Sequence, residues 1–148
     1  MKSNFNSEGF RYLMKGLLSS INMLDKEMET KFCISSTRAQ TLSTLKDKKS
    51  LKMSELSEQM FLTSSTMTRI VDNLIKDELV ERGGDTCDRR VVVVKLTNKG
   101  KKLTKDIEEF KDKYFEAVKE KVEGNGTKEM FSSLKTLIDA FEDFKSTL

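Results

Sequence analysis

Residues 53–100 constrain the fold more than any other stretch of this chain. They contain two short helical patterns separated by a turn, and then two apolar segments on either side of the polar loop GGDTCDRR. Two helices followed by a β-hairpin with a basic tip are the parts of a winged helix-turn-helix. The sequence therefore predicts a mainly α fold in which a small β-hairpin, the wing, follows the second of these helices.

Composition argues against several classes of protein. The chain has 148 residues, 34% of them charged, and no apolar run long enough to span a membrane. The N-terminal sequence MKSNFNSEGF has no apolar signal region, so we expect a cytoplasmic protein without a membrane partner. No histidine is present, and Cys33 and Cys87 lack metal-ligand spacing, so we expect no metal site. Without a glycine-rich phosphate loop or a nucleophile motif, we expect neither an enzyme nor a bound cofactor.

The elements before the fourth helix can be read from periodicity and capping residues. Apolar residues recur at spacings of three and four over residues 10–28, the pattern of an amphipathic helix. Residues 30–36 are predicted to break it, with Ser35 or Ser36 as the N-cap of a second helix over 36–46. A short extended piece should follow at residues 51–53.

Two further helices make up the helix-turn-helix. Ser54 is expected to cap the third helix, over residues 55–61. Thr63 or Ser64 is expected to cap the fourth, whose apolar residues recur at helical spacing and whose end lies near residues 77–78. This fourth helix is the candidate recognition helix.

The wing strands are predicted at residues 79–82 and 91–96. The second segment, VVVVKL, is β-branched and is bounded by turn residues, which favours a strand over a helix. Gly83 and Gly84 would let the chain leave the first strand at backbone angles that other residues avoid.

The C-terminal part is predicted to consist of two helices. A repeat of three and four covers residues 98–122, GNG at 124–126 breaks it, and Thr127 is expected to cap the last helix. The first, fifth and last helices carry more apolar surface than the winged unit can cover. A symmetric homodimer through both ends of the chain would bury it, and a monomeric helical subdomain is the alternative. The predicted division is therefore 1–34 and 101–148 as the dimerisation region and 35–100 as the DNA-binding domain.

Two motifs resemble a known family. T-x-T-R followed by V-D-x-L and L-V-E-R, between residues 64 and 82, resembles the recognition helix of the MarR family of transcriptional regulators. The run Asp88-Arg89-Arg90, followed by V-x-L-T-x-x-G at residues 94–100, resembles that family's wing and the start of its dimerisation helix. The resemblance covers nearly the whole chain, and the wing motif is its most specific part.

The resemblance implies a homodimer that binds a palindromic operator in double-stranded DNA and usually represses transcription. It implies that Arg90 enters the minor groove and that Asp88 steadies it by an ion pair. Family members often respond to small organic ligands or to oxidants. This chain lacks a proline common in the family's wing loop, has Cys87 before Asp88, and lacks the glycine often found before L-V, where Glu78 stands.

The residues that would read DNA follow from the helix-turn-helix itself. Residues early in a recognition helix reach base edges, which makes the candidates Ser64, Ser65, Thr66, Thr68 and Arg69. Arg69 is suited to a bidentate contact with guanine, and the hydroxyls to phosphates or adaptable base contacts. Arg89 is the candidate for a DNA-backbone contact from the wing. For the first hydroxyls of the helix, capping is the competing interpretation, and for the loop it is a solvated turn.

The signal that would regulate DNA binding has competing interpretations. Cys87 lies beside cationic residues that would make its thiol reactive, and Cys33 lies between the first two helices, near where the family places effectors. Both residues can equally be inert small hydrophobes. A pocket for a small organic effector is the other input, with aromatic and methionine candidates that can equally be plain core: Phe10, Tyr12, Met14, Met53, Met60 and Phe61.

A protein-interaction winged helix that does not bind DNA is the alternative function. The arginines at positions 69, 89 and 90 favour DNA, because they fall on the two elements that would face it. Residues 35–100 also carry twelve Lys and Arg against nine Asp and Glu, an excess that permits nucleic-acid binding.

Overall fold

A small antiparallel sheet lies among the helices of this chain. The computed structural model describes residues 6–84, 92–124 and 126–146. In chain order they form α1 (Ser7–Phe32), α2 (Ser36–Lys48), β1 (Ser50–Lys52), α3 (Met53–Gln59), α4 (Ser64–Lys76), β2 (Val80–Gly84), β3 (Val92–Leu96), α5 (Asn98–Val122) and α6 (Thr127–Ser146). The sheet has the order β1-β3-β2. The predicted mainly α winged helix-turn-helix, formed by α3, α4, β2 and β3, is confirmed.

The chain divides into two compact units, Met1–Asp112 and Lys113–Leu148. The first contains α1 to α4, the sheet and the first part of α5, and the second contains the rest of α5 and α6. The predicted division at residues 34 and 100 separates a DNA-binding domain from a dimerisation region by function, not by compactness. It stays a prediction.

The helix α1 is longer than its apolar spacing predicts. The Asn6 side chain accepts the Gly9 N–H at 2.8 Å, so the helix begins at Ser7 rather than at residue 10. The predicted break over residues 30–36 is wrong for its first three positions. Phe32 packs against the core and contacts Phe110 edge-to-face, with ring centroids 5.8 Å apart. This contact stabilises the last turn of α1, which therefore ends at Phe32.

Two of the predicted caps are wrong. The helix α3 begins at Met53, before Ser54, and the Glu55 side chain accepts the Lys52 N–H at 2.8 Å. The helix α6 begins at Thr127, whose hydroxyl accepts the N–H of Gly124 at 2.9 Å rather than a helical N–H. For α2 the cap is Ser35, which accepts the Arg38 N–H at 3.4 Å.

The predicted role of Gly83 and Gly84 is also wrong. Both belong to β2, where they pair with Val93 and Val92, and neither has a left-handed backbone. The Lys95 side chain crosses Gly83, since a Cβ there would lie 3.4 Å from the Lys95 Cε. The pair therefore extends the strand beyond residue 82, where the sequence predicted its end.

The hydrophobic core lies in the first unit. α4 contributes Met67, Val71 and Leu74, which are fully buried, while Ile70 and Ile75 are partly buried, as the helical spacing predicts. Among the described residues, the other fully buried apolar side chains are those of Met28, Leu42, Leu45, Leu56, Val80 and Val94. Since full burial of such a side chain contributes about 1.5–3 kcal/mol, this cluster holds the helix-turn-helix against the sheet and α5.

The start of α5 is held against Leu79, the residue that precedes β2. The Thr97 hydroxyl accepts the Gly100 N–H at 3.0 Å, and the Thr97 N–H donates to the Leu79 carbonyl at 3.1 Å. A Cβ at Gly100 would lie 1.9 Å from that same carbonyl oxygen. The T-x-x-G motif therefore caps α5 through its threonine and allows close backbone approach through its glycine.

Glu78 occupies a strained backbone position. Its φ is 60°, in the left-handed region, at the position where the resemblance noted in the sequence would place glycine. Its carboxylate pairs with Lys99 at 3.2 Å, but both side chains are largely exposed, so the pair contributes little.

Glu78→Gly is expected to raise the free energy of unfolding by up to about 1 kcal/mol, because relief of the left-handed strain exceeds the entropy cost of glycine. Urea unfolding followed by circular dichroism measures the change in the free energy of unfolding. Glu78→Ala is the control, since it removes the carboxylate but keeps the strain. An equal gain from both variants would contradict this explanation.

Apolar side chains remain exposed on the helices at both ends of the chain. On α1 they are Tyr12, Leu13, Leu17, Leu18, Ile21 and Met23; on the second half of α5 they are Phe115, Val118 and Val122; on α6 they are Phe131, Leu134, Ile138, Phe141 and Phe144. Across the described residues, every helix is too short or too polar to cross a membrane.

Candidate nucleic-acid interface

The helix α4 separates a buried apolar side from an exposed polar one. Its predicted DNA-reading residues, Ser64, Ser65, Thr66, Thr68 and Arg69, are all exposed, while Met67 between them is fully buried. The structure therefore places these five side chains together at the exposed N-terminal end of the helix.

The first hydroxyls of α4 form a local hydrogen-bond cluster. The cap is Thr63, whose Oγ1 accepts the Thr66 N–H at 3.3 Å and lies 3.1 Å and 2.9 Å from the hydroxyls of Ser65 and Thr66. The Thr68 hydroxyl donates to the Ser64 carbonyl at 2.8 Å. Because each hydroxyl has one donor hydrogen and two lone pairs, Ser65, Thr66 and Thr68 keep capacity for a further hydrogen bond.

Arg69 is the cation at this end of α4. Its side chain is exposed and has no hydrogen bond or ion pair with any residue that the structure describes. A guanidinium presents five N–H donors in a planar fork that fits two acceptors at once. Arg69 can therefore bind an anionic or bidentate acceptor without first breaking an internal contact.

An ion pair that the sequence did not reveal joins the recognition helix to the wing. Arg82 on β2 donates through Nη2 to Asp72 Oδ1 on α4 at 2.7 Å. Both side chains are half-exposed, so the pair contributes about 0–1 kcal/mol and serves mainly to orient α4 relative to β2. Both residues lie within the quoted family motifs, but their ten-residue separation carries no helical or strand periodicity that would have paired them.

A second unforeseen contact holds the other end of α4. Arg38 on α2 forms an ion pair with Asp77, the residue that follows the last turn of α4. The Arg38 Nε is buried and has no hydrogen-bond partner among the described residues. Together the pairs at Asp72 and Asp77 orient the recognition helix relative to β2 and α2, while its buried apolar side holds it to the core.

The predicted wing-tip residues Cys87, Asp88, Arg89 and Arg90 lie outside the described residues, and their roles stay predictions. Cys33 is exposed and occupies the left-handed position that ends α1, with its Sγ 3.9 Å from the Thr30 carbonyl. Its effector role stays a prediction. The parts of the chain described here bring together no group of three or more Cys, Asp or Glu suited to a metal ion.

The proposed effector-pocket residues have different environments. Met60 is buried in the core, whereas Tyr12 is 77% exposed and Phe61 is 72% exposed. Met53 packs against the same core as Met60. The methionines of the winged unit therefore follow the plain-core interpretation.

The sequence profile of the MarR family matches residues 34–92, the stretch from two residues before α2 to the first residue of β3. Residues 34–92 belong to the MarR family. The chain is 30% identical over 94 residues to the uncharacterized HTH-type transcriptional regulator YsmB of Bacillus subtilis (strain 168), a match that covers 64% of each chain. It is 41% identical over 59 residues to the HTH-type transcriptional repressor MdtR of the same organism, covering 40% of this chain and 38% of MdtR. The chain thus matches less than two thirds of either relative's length.

A solved structure shows the same fold. The Streptococcus pneumoniae protein FabT, crystallised in complex with DNA, superposes with a TM-score of 0.81 at 23% identity, covering 91% of this chain and 99% of that one. The match extends beyond the MarR domain into the flanking helices. At 23% identity, this match shows that the two chains share a fold.

Proposed function

We propose that this chain is a transcriptional regulator that binds a palindromic operator in double-stranded DNA as a homodimer and acts as a repressor. The observation that carries the proposal is the exposed N-terminal end of α4, where four hydroxyl residues and Arg69 lie together on a MarR domain. Such a helix places its first residues against base edges in the major groove. MdtR, a relative of the domain, is named as a transcriptional repressor, and FabT was crystallised with DNA.

Each site residue has a role in the proposal. Arg69 contacts guanine, and Ser64, Ser65, Thr66 and Thr68 contact phosphates or base edges. From the wing, Arg90 enters the minor groove, Asp88 orients it, and Arg89 contacts the DNA backbone.

The exposed apolar surface supports the homodimer. The apolar side chains on α1, on the second half of α5 and on α6 are left uncovered in a single copy of the chain. Contiguous apolar patches are rarely left exposed on monomers, and a second copy with two-fold symmetry would cover them. Two recognition helices would then meet two half-sites. A small organic molecule or oxidation of Cys33 or Cys87 would relieve repression.

Selection of bound duplexes from a random pool tests the proposal. The expected product is a palindrome with half-sites about one helical turn apart. Binding to the selected duplex should weaken steeply as salt rises, because phosphate contacts release counterions. Absence of binding to duplex DNA even at low salt would contradict the proposal and favour a protein-interaction winged helix.

Arg69→Ala is expected to reduce the preference for the selected duplex over random DNA by about 5- to 150-fold, equivalent to about 1–3 kcal/mol for a bidentate base contact. Fluorescence anisotropy on both DNAs at one salt concentration measures the ratio. Arg11→Ala, on α1, is a matched control that removes the same charge outside the interface. Equal losses on both DNAs would show that Arg69 contacts only phosphate.

A further inference from the structure

Phe61 is an exposed aromatic residue in the turn between α3 and α4. Its side chain is 72% exposed, although its neighbour Met60 is buried and its neighbour Leu62 packs against the hydrophobic core. Its φ is 52°, in the left-handed region that a bulky residue seldom adopts. Phe61 therefore combines exposed apolar surface with an unfavourable backbone conformation.

The hydrogen bonds of the turn explain this backbone conformation. The Leu62 N–H donates to the Ser57 carbonyl at 3.0 Å, and the Phe61 N–H donates to the Glu58 carbonyl at 3.1 Å. These two bonds form the Schellman motif that ends α3, and Phe61 occupies the position that glycine usually fills. Glycine adopts a left-handed φ without steric cost, whereas a residue with a Cβ is strained there. The turn itself therefore favours glycine over phenylalanine at this position.

Phe61 lies at the edge of the residues assigned to DNA contact. It precedes Thr63, the cap of α4, by two positions, so the two Cα atoms lie within about 7 Å of each other. In a helix-turn-helix, the first helix crosses the DNA backbone and the second places its first residues against base edges. Strained residues cluster at functional sites. A contact with DNA would give this exposed and strained phenylalanine a function that glycine could not supply.

Thymine is the base that offers an apolar group in the major groove. All four bases display hydrogen-bonding groups there, and thymine adds its C5-methyl group, which an apolar side chain can contact. A phosphate would instead select a cation or a hydrogen-bond donor. We propose that Phe61 packs on the C5-methyl group of a thymine beside the bases that α4 contacts. The contact would add a preference for thymine to each half-site, and it rests on the proposed function.

Replacement of thymine by uracil tests the contact, because uracil lacks only the methyl group. Each thymine of the selected duplex is replaced in turn, in both half-sites at once, and the affinity is measured by fluorescence anisotropy at fixed salt. At one position the native protein should lose about 15-fold, since burial of one methyl group contributes about 4-fold in each half-site. Phe61→Ala should lose about 15-fold on the thymine duplex and change by less than about 2-fold on uracil replacement at that position.

Phe61→Gly separates DNA contact from a purely structural role. Because glycine relieves the left-handed strain, the variant should melt about 2–4 °C above the native protein in differential scanning calorimetry. It should nevertheless bind the selected duplex about 15-fold more weakly. A side chain that only supported the turn would change Tm and affinity in the same direction.

Glu78→Gly is the matched control for Phe61→Gly. Glu78 also has a left-handed φ, at the residue after the C-cap of α4, so the substitution makes the same backbone change at the other end of the helix. It should raise Tm without weakening binding to the duplex. Phe61→Leu keeps an apolar side chain and the strained backbone, and it should retain part of the dependence on thymine.

Three results would overturn the thymine contact. The first is native affinity in Phe61→Ala. The second is the absence of any thymine whose replacement weakens the native protein more than it weakens Phe61→Ala. The third is an equal loss by Phe61→Ala on the selected and random duplexes, which would place the ring on the DNA backbone. All three are measured on a bound duplex and leave the proposed function standing, whereas failure of the native protein to bind any duplex would overturn both.

Discussion

Gly100→Ala is expected to lower the free energy of unfolding by about 3 kcal/mol, the upper range for a group forced into closely packed surroundings. A Cβ at this position would lie 1.9 Å from the Leu79 carbonyl oxygen, which is backbone and cannot swing aside. The Leu79 carbonyl also accepts the Thr97 N–H, so a shift would weaken that hydrogen bond. Differential scanning calorimetry should show a fall in Tm of roughly 10 °C for a chain of this length.

Gly16→Ala is the matched control for this substitution. Gly16 lies in α1, and a Cβ there would meet nothing within 4 Å. Alanine in a helix interior is favoured over glycine by about 0.5–1 kcal/mol, so this variant should gain stability. Equal stability of Gly100→Ala and the native protein would contradict the close approach of α5 to Leu79.

Arg90→Ala is expected to weaken binding to the selected duplex by about 30-fold, equivalent to roughly 2 kcal/mol. An arginine in a narrow minor groove lies in enhanced negative potential, and alanine cannot replace that attraction. A mobility-shift titration at fixed salt measures the loss, and sedimentation velocity should show an unchanged oligomeric state.

Arg11→Ala serves again as the control for Arg90→Ala, because it removes one positive charge from an exposed position on α1. If the two variants bind the duplex equally well at the same salt concentration, the wing does not insert Arg90. A dissociated Arg90→Ala protein would instead show that the loss came through the dimer.

The parts of the fold set by local chemistry could be predicted closely. Both ends of α5 were predicted, because an apolar repeat of three and four lies between Thr97 and the GNG break. The cap at Thr63 and the buried side of α4 followed from residue type and helical spacing. These signals lie within one element, so neighbouring residues are enough to establish them.

Two of the predictions that were wrong concern contacts between elements. Phe32 continues α1 because it meets Phe110, a partner that no local pattern indicates. Gly83 and Gly84 remain in a strand because Val93 and Val92 pair with them. In each case a tertiary or cross-strand interaction overrides the local preference.

The same distinction applies to the candidate interface. The residue types of α4 and their spacing determined which side chains face away from the core, since a helix with one apolar stripe must bury that stripe. The sequence by itself therefore identified Arg69 and the hydroxyls beside it as exposed. The orientation of that helix relative to α2 and β2 was decided by tertiary structure, in which Arg82 pairs with Asp72 and Arg38 pairs with Asp77. These pairs form only when separate elements have packed together, because the attraction between charges acts through space and leaves no spacing in the sequence to reveal it.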